Sequence, residues 1–257
     1  MRSRIILGRF LLRLGRFIQS LALMVMRPDD VVEFSRQSYV KDVPYWGSED
    51  TVGEGLSPLE SSLLEKAPLE RGRVLVLDVG GGRDAIPLAR LGFEVTGVDF
   101  VPEMVQRAQE NAARHGVPIA GLVQEISELE VPHGSFDLVW LAKEMYSSLP
   151  TIQRRVKMLR RIRRALRPGG YFICTFQWQT EEMFSPKVEF ARKIFAWLTL
   201  GNLQYEPGDL LWQHEEFLHA FSSEAELKSE FAERGFAVLH LHIPETGVNG
   251  GAVLVSR

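Results

Sequence analysis

The chain has 257 residues, of which 45% are apolar and 25% charged, and its formal net charge is −3. This balance is ordinary for a globular protein and excludes a disordered, collagen-like or disulfide-rich chain. The single cysteine, Cys174, can form neither an internal disulfide nor a cysteine-rich metal site, which favours a reducing compartment.

Charge is distributed unevenly along the chain. Residues 1–27 contain six arginines and no acidic residue, so the 30 basic residues of the chain fall to 24 in the rest, against 33 acidic ones. The acidic body argues against nucleic acid as a partner.

The first 27 residues predict a basic amphipathic helix over 3–26. On a helical wheel, Arg2, Arg9, Arg13 and Arg16 fall within a stripe about 60° wide, and apolar side chains cover the remainder. This pattern suits a membrane surface. Packing against the body or a partner chain, or a targeting peptide, are the alternatives. The uncharged run 17–26 is too short to span a bilayer.

Residues 28–69 are predicted to form a lid segment. Prolines and glycines make 28–56 look loop-rich, and Tyr45 and Trp46 either pack there or cover a ligand. A helix is expected from Ser57 to about 66, because Ser57 and Glu60 form a capping-box pattern around Pro58.

Strands and helices alternate through residues 70–257. Strands are expected at 74–79, 94–99, 119–123, 136–141, 171–176, 236–243 and 251–256, and helices at 84–91, 102–115, 151–166 and 223–234. The alternation predicts an α/β, Rossmann-like fold with a seven-stranded, mostly parallel sheet and helices on both faces. Residues 177–222 interrupt it and are expected to form an inserted cap of one or two helices plus loop. Their aromatic side chains belong either to the core or to a pocket lining.

Three features converge at the predicted carboxyl edge of the sheet, where open α/β sheets bind ligands. They are the loop from Asp78 through three glycines to Asp84, Asp99 at the end of the second strand, and Glu125 after the third. The glycine pattern alone fits NAD, FAD or an adenosyl ligand. Two unit charges 4 Å apart interact by about 4 kcal/mol at an effective dielectric near 20. The two loop carboxylates therefore favour a cationic ligand, such as S-adenosylmethionine, over a pyrophosphate.

Four ordered motifs carry a family resemblance. Residues 76–82 (VLDVGGG), 95–99 (VTGVD), 125–139 and 166–170 (LRPGG) resemble the class I S-adenosylmethionine-dependent methyltransferases over about 70–176. The resemblance implies S-adenosylmethionine as cofactor. The implied cofactor-binding residues are Asp78, Gly80, Gly81 and Gly82 at the methionine part, Asp99 at the ribose, Phe100 against adenine, Glu125 at its amino group and the Ile126 amide.

Two positions depart from the family pattern. Asp84 stands where the third glycine of the loop usually lies, and Glu125 is one methylene longer than the usual aspartate. The Asp84 departure affects the expected contact of the loop with the cofactor, and the Glu125 departure affects the expected contact with the adenine amino group.

The methyl acceptor is less well defined. No Asn/Asp-Pro-Pro-Tyr signature follows the fourth strand, which disfavours methylation of amino groups of adenine or glutamine, and the sequence has no Pro-Cys nucleophile for pyrimidine C5. Ala142 and Lys143 do not supply the aspartate that catechol-type, magnesium-dependent relatives have after this strand, so we expect no metal. Candidates for a general base are Glu144, Tyr146, His214 and His219, each of which is also compatible with an ordinary surface or packing role.

The basic helix at 151–167 is expected to present a solvated face, with a second membrane contact or RNA binding as alternatives. The sequence favours a methyltransferase acting on a small-molecule or lipid-like acceptor, cytoplasmic or peripheral at the inner face of a membrane. A soluble small-molecule enzyme, a non-catalytic cofactor-binding scaffold and a nicotinamide dehydrogenase are the other hypotheses. The sequence predicts no oligomeric state.

Overall fold

The strands lie close to their predicted positions. The computed structural model describes residues 2–179, 186–212 and 216–257. Its strands are β1 (Arg73–Leu77), β2 (Glu94–Asp99), β3 (Ile119–Val123), β4 (Phe136–Leu141), β5 (Leu166–Gln177), β6 (Asp209–Trp212), β7 (Glu216–His219), β8 (Phe236–His242) and β9 (Asn249–Ser256). β5 begins earlier than predicted, because Leu166 already pairs with Phe136 before a shift in register.

Within the described residues, seven strands form one sheet in the order β3-β2-β1-β4-β5-β9-β8. Neighbouring strands from β3 to β5 run parallel, whereas β9 runs antiparallel between β5 and β8. The chain changes direction across the sheet between β1 and β4, and this switch point opens a crevice beyond the carboxyl ends of the strands. The predicted Rossmann-like, mostly parallel fold is confirmed.

The helices cover both faces of this sheet. They are α1 (Arg2–Val25), α2 (Pro28–Lys41), α3 (Val43–Trp46), α4 (Glu49–Gly53), α5 (Pro58–Lys66), α6 (Ala85–Arg90), α7 (Pro102–Arg114), α8 (Ile152–Ala165), α9 (Pro186–Thr199) and α10 (Glu224–Ala232). Side chains alternate along β1, as a strand requires. Leu75 and Leu77 pack with α8 and α10, and Val74 and Val76 pack with α5, α6 and α7.

The predicted loop-rich segment 28–56 is instead helical, and that prediction was wrong. Pro28 occupies the first turn of α2 and is followed by Asp29 and Asp30, which favour a helix amino terminus. The Ser48 side chain accepts a 3.2 Å hydrogen bond from the Thr51 amide and caps α4. The prolines and glycines of this segment therefore mark helix ends rather than one continuous loop. The predicted capping box of α5 is present, with the Ser57 amide donating to Glu60 Oε2 at 2.6 Å.

α1 has two parts with different surroundings. Near its carboxyl end, Leu23 and Met24 are buried against Ala196 of α9 and Phe217 of β7. Towards its amino end, Ile6 is 67% exposed and Leu12 is 70% exposed. Among the described side chains of α1, only those in the last turns are thus buried against the body. Among the described residues, no helix combines the length and apolarity needed to cross a membrane.

The insert at 177–222 contains an element that the sequence did not indicate. Besides the helix α9, it contains the antiparallel pair β6–β7, in which Asp209 lies opposite His219. Each of these strands has only four residues, which is too short for a clear alternation of polar and apolar side chains. Its aromatic residues do not share one role, because Phe217 is buried whereas Phe190 and Trp197 are exposed.

Candidate functional site

A cavity of about 290 Å³ lies beyond the carboxyl ends of β1, β2 and β4. Three parts of the chain close it: the loop after β1, the helical segment before β1, and the β7 strand of the insert with the adjoining ends of β5 and β9. The cavity therefore occupies the switch point at which the sequence analysis placed the ligand.

The glycine loop turns sharply under the cavity. Asp78 and Gly80 have φ values of 52° and 51°, in the left-handed region that favours glycine. A Cβ added to Gly80 would meet no described atom within 4 Å, and Gly80 lines the cavity. A Cβ on Gly81 would clash with the Trp46 carbonyl oxygen, so this glycine permits close contact with α3. Gly82 packs against Ala108 of α7 and does not line the cavity.

The Asp99 side chain joins the end of β2 to the glycine loop. The Gly80 amide donates to its Oδ2 at 3.0 Å, and the Val101 amide donates to its Oδ1 at 2.9 Å. Burial raises the pKa of Asp99 to about 6, an effect that these backbone hydrogen bonds oppose. Asp99 also lines the cavity, so it can hold the loop and contact a ligand.

Asp78 is a partly buried residue whose carboxylate has a buried oxygen with spare hydrogen-bonding capacity. Its Oδ2 has no hydrogen-bond partner among the described residues. Burial, and then the neighbouring charges of Asp99 and Glu125, raise the pKa of Asp78 well above its usual range. A buried, unpartnered carboxylate among other acids is costly alone and is stabilised by a cation. The donor set therefore fits the sulfonium and ammonium groups of S-adenosylmethionine.

Asp84 lies at the amino end of α6, and its side chain makes no capping hydrogen bond there. Its Oδ1 is 2.5 Å from Arg83 Nη2, and its Oδ2 accepts a 3.0 Å hydrogen bond from Trp140 Nε1. Burial raises the pKa of Asp84 to about 6, and the Arg83 charge opposes that rise. Arg83 also makes a buried two-point ion pair with Glu60, at 2.7 and 2.8 Å. This pair ties the loop to α5.

The predicted adenine contacts border a second, smaller cavity of about 50 Å³. Glu125 and Ile126 line it, and Asp78 and Phe100 line both cavities. The Glu125 carboxylate accepts hydrogen bonds from the Ser127 amide at 2.9 Å and from its hydroxyl at 2.6 Å. The structure thus places Glu125 and Ile126 beside the main cavity rather than within its lining.

A tyrosine that the sequence analysis missed separates the two cavities. Tyr39 of α2 lines both, and its ring meets Phe100 edge-on with centroids 6.1 Å apart. Burial, and then the charges of Glu216, Asp78 and Asp99, raise the pKa of the Tyr39 phenol well above its usual range. The phenol therefore stays protonated and can donate a hydrogen bond at neutral pH.

The segment before β1 covers the glycine loop. Trp46 and Thr51 line the cavity, whereas Tyr45 is exposed and lies outside the lining. The buried Asn111 of α7 donates from Nδ2 to Gly81 O at 2.7 Å and to Gly47 O at 3.2 Å. Asn111 therefore fastens α3 to the loop. Nothing in its local sequence indicates this role, since its partners lie far away in the chain.

Glu144 is the base candidate that lines the cavity. Lys143 and Glu144 both have left-handed backbone conformations, with φ values of 52° and 57°. Such residues store about 1–3 kcal/mol of strain each and cluster at functional sites. The Glu144 amide donates to Thr175 Oγ1 at 2.8 Å, which helps to hold this conformation. Burial, followed by the charge of Glu60, raises the pKa of Glu144 above its usual range.

Tyr146 and His219, two of the other base candidates, do not line the cavity. Tyr146 is fully buried in the core, stacks on Phe221 and donates its hydroxyl to Glu230. His219 is buried with its Nδ1 2.7 Å from Asp209 Oδ1. Tyr146 therefore has a packing role in the core. His219 is buried too, so it does not have a surface role. His214 lies outside the described residues.

One carboxylate–histidine group has the composition of a metal site. Ligand atoms of Glu206, Asp209 and His219 lie within 4.8 Å of one another. However, Arg155 Nη1 already lies 2.8 Å from Glu206 Oε2, and the Glu206 amide donates to Asp209 Oδ2 at 2.7 Å. The Glu206 carboxylate therefore already has a cationic partner. We therefore interpret this group as an ion-pair network that fastens the insert to α8.

Comparisons with known proteins agree with this architecture. Residues 74–170 match the family model of a methyltransferase domain. The chain is 33% identical over 139 residues to a ubiquinone biosynthesis O-methyltransferase of Methylobacterium nodulans, covering 54% of each chain. The chain is also 32% identical over 166 residues to a ubiquinone biosynthesis O-methyltransferase of Xanthomonas axonopodis, covering 63% of this chain and 68% of the relative. The match to the Methylobacterium protein thus spans about half of that protein's length.

Solved structures share the fold. The 1,6-didemethyltoxoflavin-N1-methyltransferase of Burkholderia thailandensis, solved with S-adenosylhomocysteine, has a TM-score of 0.62 at 18% identity, over 89% of this chain and 90% of that one. A methyltransferase from Methanosarcina mazei has a TM-score of 0.61 at 20% identity, over 79% of this chain and 98% of that one. The match to the methyltransferase-domain family model and the Xanthomonas relative, together with the shared fold, identify the chain as a member of the class I S-adenosylmethionine-dependent methyltransferases.

Proposed function

We propose that this enzyme methylates a hydroxyl group of an uncharged, largely apolar, lipid-like acceptor. The charge of the cavity carries the proposal. Besides Asp78, Asp84 and Asp99, the cavity is lined by Glu144 and Glu216. Its two lining cations are already paired, because Arg83 binds Glu60 and Lys143 Nζ lies 3.0 Å from Glu54 Oε2. Among the described residues, the lining therefore offers no spare cation for a carboxylate or phosphate on the acceptor.

The far wall of the cavity supports an apolar acceptor. Ala142 and Met145 after β4, Leu218 of β7 and Val248 before β9 line it. Such a surface favours an acceptor with a hydrocarbon or ring portion. The names of the Methylobacterium and Xanthomonas relatives, which are O-methyltransferases, support oxygen as the accepting atom.

We propose that the cofactor is held by the residues that the family resemblance implied. Asp78 would bind its cationic groups, Asp99 the ribose hydroxyls and Phe100 one face of adenine, with Gly80 and Gly81 allowing close approach. Glu125 and the Ile126 amide would bind the adenine edge from the smaller cavity, past Tyr39. When bound, the cofactor supplies an electrophilic methyl group; the chain positions the acceptor in line with it.

Glu144 is the proposed proton acceptor. A carboxylate with a raised pKa is a better base near neutral pH than an ordinary one. Gln177 at the end of β5 and Asn249 at the start of β9 line the same cavity and offer amide groups to orient the acceptor.

We also propose a division of labour along the chain. Residues 28–69 would act as a lid over the cofactor, 70–257 as the catalytic domain and 177–222 as the substrate cap. Residues 1–27 would bind a membrane surface and place the enzyme at its inner face. The exposed apolar side chains of the first turns of α1 support this assignment.

Methyl transfer to extracts of the host tests the proposal. With S-adenosylmethionine labelled in its methyl group, label should appear in the lipid extract. Glu144→Gln should lower kcat about 100-fold, a typical contribution of a general base, while cofactor affinity is unchanged. The exposed Glu65→Gln is the matched control and should behave like the unmodified enzyme. Label confined to the aqueous extract would favour a soluble acceptor. An undiminished kcat in Glu144→Gln would show that Glu144 is not the general base.

A further inference from the structure

The helix α9 is amphipathic, but its apolar face is exposed and its arginine is buried. Its arginine, Arg192, is 0% exposed, whereas Phe190 is 65%, Trp197 66% and Leu198 65% exposed. With Ile194, which is 44% exposed, these apolar residues follow the spacing i, i+4, i+7 and i+8 and so share one face of the helix. That face lies on the protein surface.

The reversed orientation is fixed by polar contacts inside the insert. Arg192 Nη1 lies 2.9 Å from Glu189 Oε1, and the guanidinium lies 4.7 Å from the centre of the Tyr205 ring. Arg192 Nη2 also approaches the Asp209 carbonyl oxygen at 3.4 Å. Rotating α9 to bury its apolar face would break these contacts and move the Arg192 guanidinium away from its partners. The stripe is therefore a stable surface feature of the folded chain.

The stripe adjoins the exposed part of α1. The Asn202 amide, just after α9, donates to Met24 O of α1 at 2.8 Å, and Gly201 packs directly against the same carbonyl oxygen. Leu200 and Leu203 follow α9 and are also exposed. The carboxyl ends of the two helices thus meet at this junction, and we call the exposed apolar side chains of α1, α9 and the residues just after α9 the α1–α9 surface.

Charge indicates what covers the α1–α9 surface. Residues 2–27 carry no acid, and exposed Arg4 and Arg9 lie among their apolar side chains. Lys187 and Lys193 of α9 are also exposed, whereas Glu189 is turned inward to Arg192. A basic rim around exposed Trp, Phe, Ile and Leu side chains complements an anionic lipid surface, where tryptophan rings favour the headgroup level.

We propose that α9 lies in the headgroup region of an anionic bilayer beside α1, with Phe190, Ile194, Trp197 and Leu198 on its lipid side. This inference rests on the proposed function in one respect, since it names the surface from which a lipid-like acceptor reaches the cavity. A second copy of the chain is the competing occupant. Two such surfaces facing each other would bring their basic rims together, which disfavours it.

A fluorescent label on the stripe tests the proposal in the full chain. Cys174 is fully buried, so a cysteine introduced by Leu198→Cys can be labelled selectively with an environment-sensitive dye. Leu91→Cys is the matched control, because Leu91 is 55% exposed at the end of α6, outside the α1–α9 surface. With phosphatidylcholine vesicles containing phosphatidylglycerol, the label at 198 should brighten and shift to shorter wavelength, and the label at 91 should not change.

A double variant measures how much the α9 stripe contributes to vesicle binding. Trp197→Gln with Leu198→Gln should weaken vesicle binding about tenfold or more, because two large side chains no longer enter the apolar layer. Leu91→Gln should bind vesicles like the unmodified chain. Both variants should keep the S-adenosylmethionine affinity unchanged, which shows that they are folded.

Three outcomes would overturn the proposal. The label at 198 could stay unchanged while the chain still floats with vesicles, which would leave membrane binding to α1 alone. It could respond to protein concentration without vesicles, which would favour a second copy. The double variant could bind vesicles as well as the unmodified chain. If the stripe responds to vesicles but only aqueous acceptors are methylated, the proposed function fails and this inference stands.

Discussion

The helices α8 and α9 both have 14 residues, but they meet their surroundings in opposite ways. α8 buries Met158, Leu159 and Ile162 against the sheet and leaves its basic side chains at or near the surface, with the exception of Arg155. α9 buries an arginine and leaves its large apolar side chains outside. The apolar side chains of α8 therefore pack in the core, whereas those of the α9 stripe face outward. The difference separates an element that stabilises the fold from one whose apolar face needs a partner.

The basic side chains of α8 are largely neutralised by the chain itself. Arg154 lies 2.5 Å from Asp29, and Arg161 lies 3.7 Å from Glu130. Lys157 also pairs with Glu128. The predicted solvated face accounts for these residues, and α9 rather than α8 provides the apolar surface that a second membrane contact would need.

The largest expected effect concerns the arginines that both helices bury. Arg155 of α8 pairs with Glu230 at 3.1 Å and Glu206 at 2.8 Å, and its side chain is 3% exposed. Arg155→Ala should lower the free energy of unfolding by about 3–5 kcal/mol, because it leaves the buried Glu230 without a counter-charge. Arg192→Ala should cost less, since Glu189 is partly exposed. Urea unfolding measures both, and equal losses would contradict this ranking.

The apolar residues of the two helices provide the next comparison. Leu159→Ala in α8 should cost about 2–5 kcal/mol, because it opens a cavity in the core. Leu198→Ala in α9 should change the free energy of unfolding by no more than about 0.5 kcal/mol, as expected for an exposed position. A loss at Leu198 as large as that at Leu159 would mean that the α9 stripe is covered within the folded chain.

The acidic cavity predicts a smaller, pH-dependent effect. The pKa of Asp99 and that of Asp84 are both raised by burial to about 6. As pH rises through this value the carboxylates ionise and attract the cationic cofactor, so its affinity should rise about tenfold per ionising contact between pH 5 and 7. Asp99→Asn should flatten this dependence and leave the part due to Asp84. Calorimetric titration across this range checks it, and an affinity that falls as pH rises would contradict it.

The same carboxylates predict the opposite trend for stability without ligand. Their folded pKa values exceed the ordinary value of 3.8, so the folded chain holds protons that the unfolded chain has released. The free energy of unfolding should therefore fall as pH rises from about 4 to 6. Added S-adenosylmethionine should oppose this fall.

The sequence predicted those parts of the molecule whose contacts are local or periodic. The strands of the sheet, the helix at Ser57 and the carboxylates at the strand ends follow from apolar runs, a capping pattern and glycine spacing. Of the helices in 28–56, α3 and α4 were missed because they have only four and five residues and lie among prolines and glycines, whereas α2, the first of the three, has 14 residues. Pro28 with Asp29 and Asp30 was the available signal for the first of them.

The remaining features depend on contacts between distant parts of the chain. The Arg83–Glu60 pair, the Asn111 link between Gly47 and Gly81, and the Tyr39 ring between the two cavities each join segments far apart in sequence. No local pattern indicates them. The reversed orientation of α9 was also missed, because an amphipathic pattern does not say which of its faces is turned towards the core.

A calorimetric titration of S-adenosylmethionine and of NAD tests the central claim, that the acidic cavity at the switch point is the cofactor site. The account predicts that S-adenosylmethionine binds and NAD does not. Asp99→Asn should weaken binding by about tenfold or more, through loss of a charged hydrogen-bond acceptor. Binding of NAD, or an Asp99→Asn affinity equal to that of the unmodified chain, would contradict it.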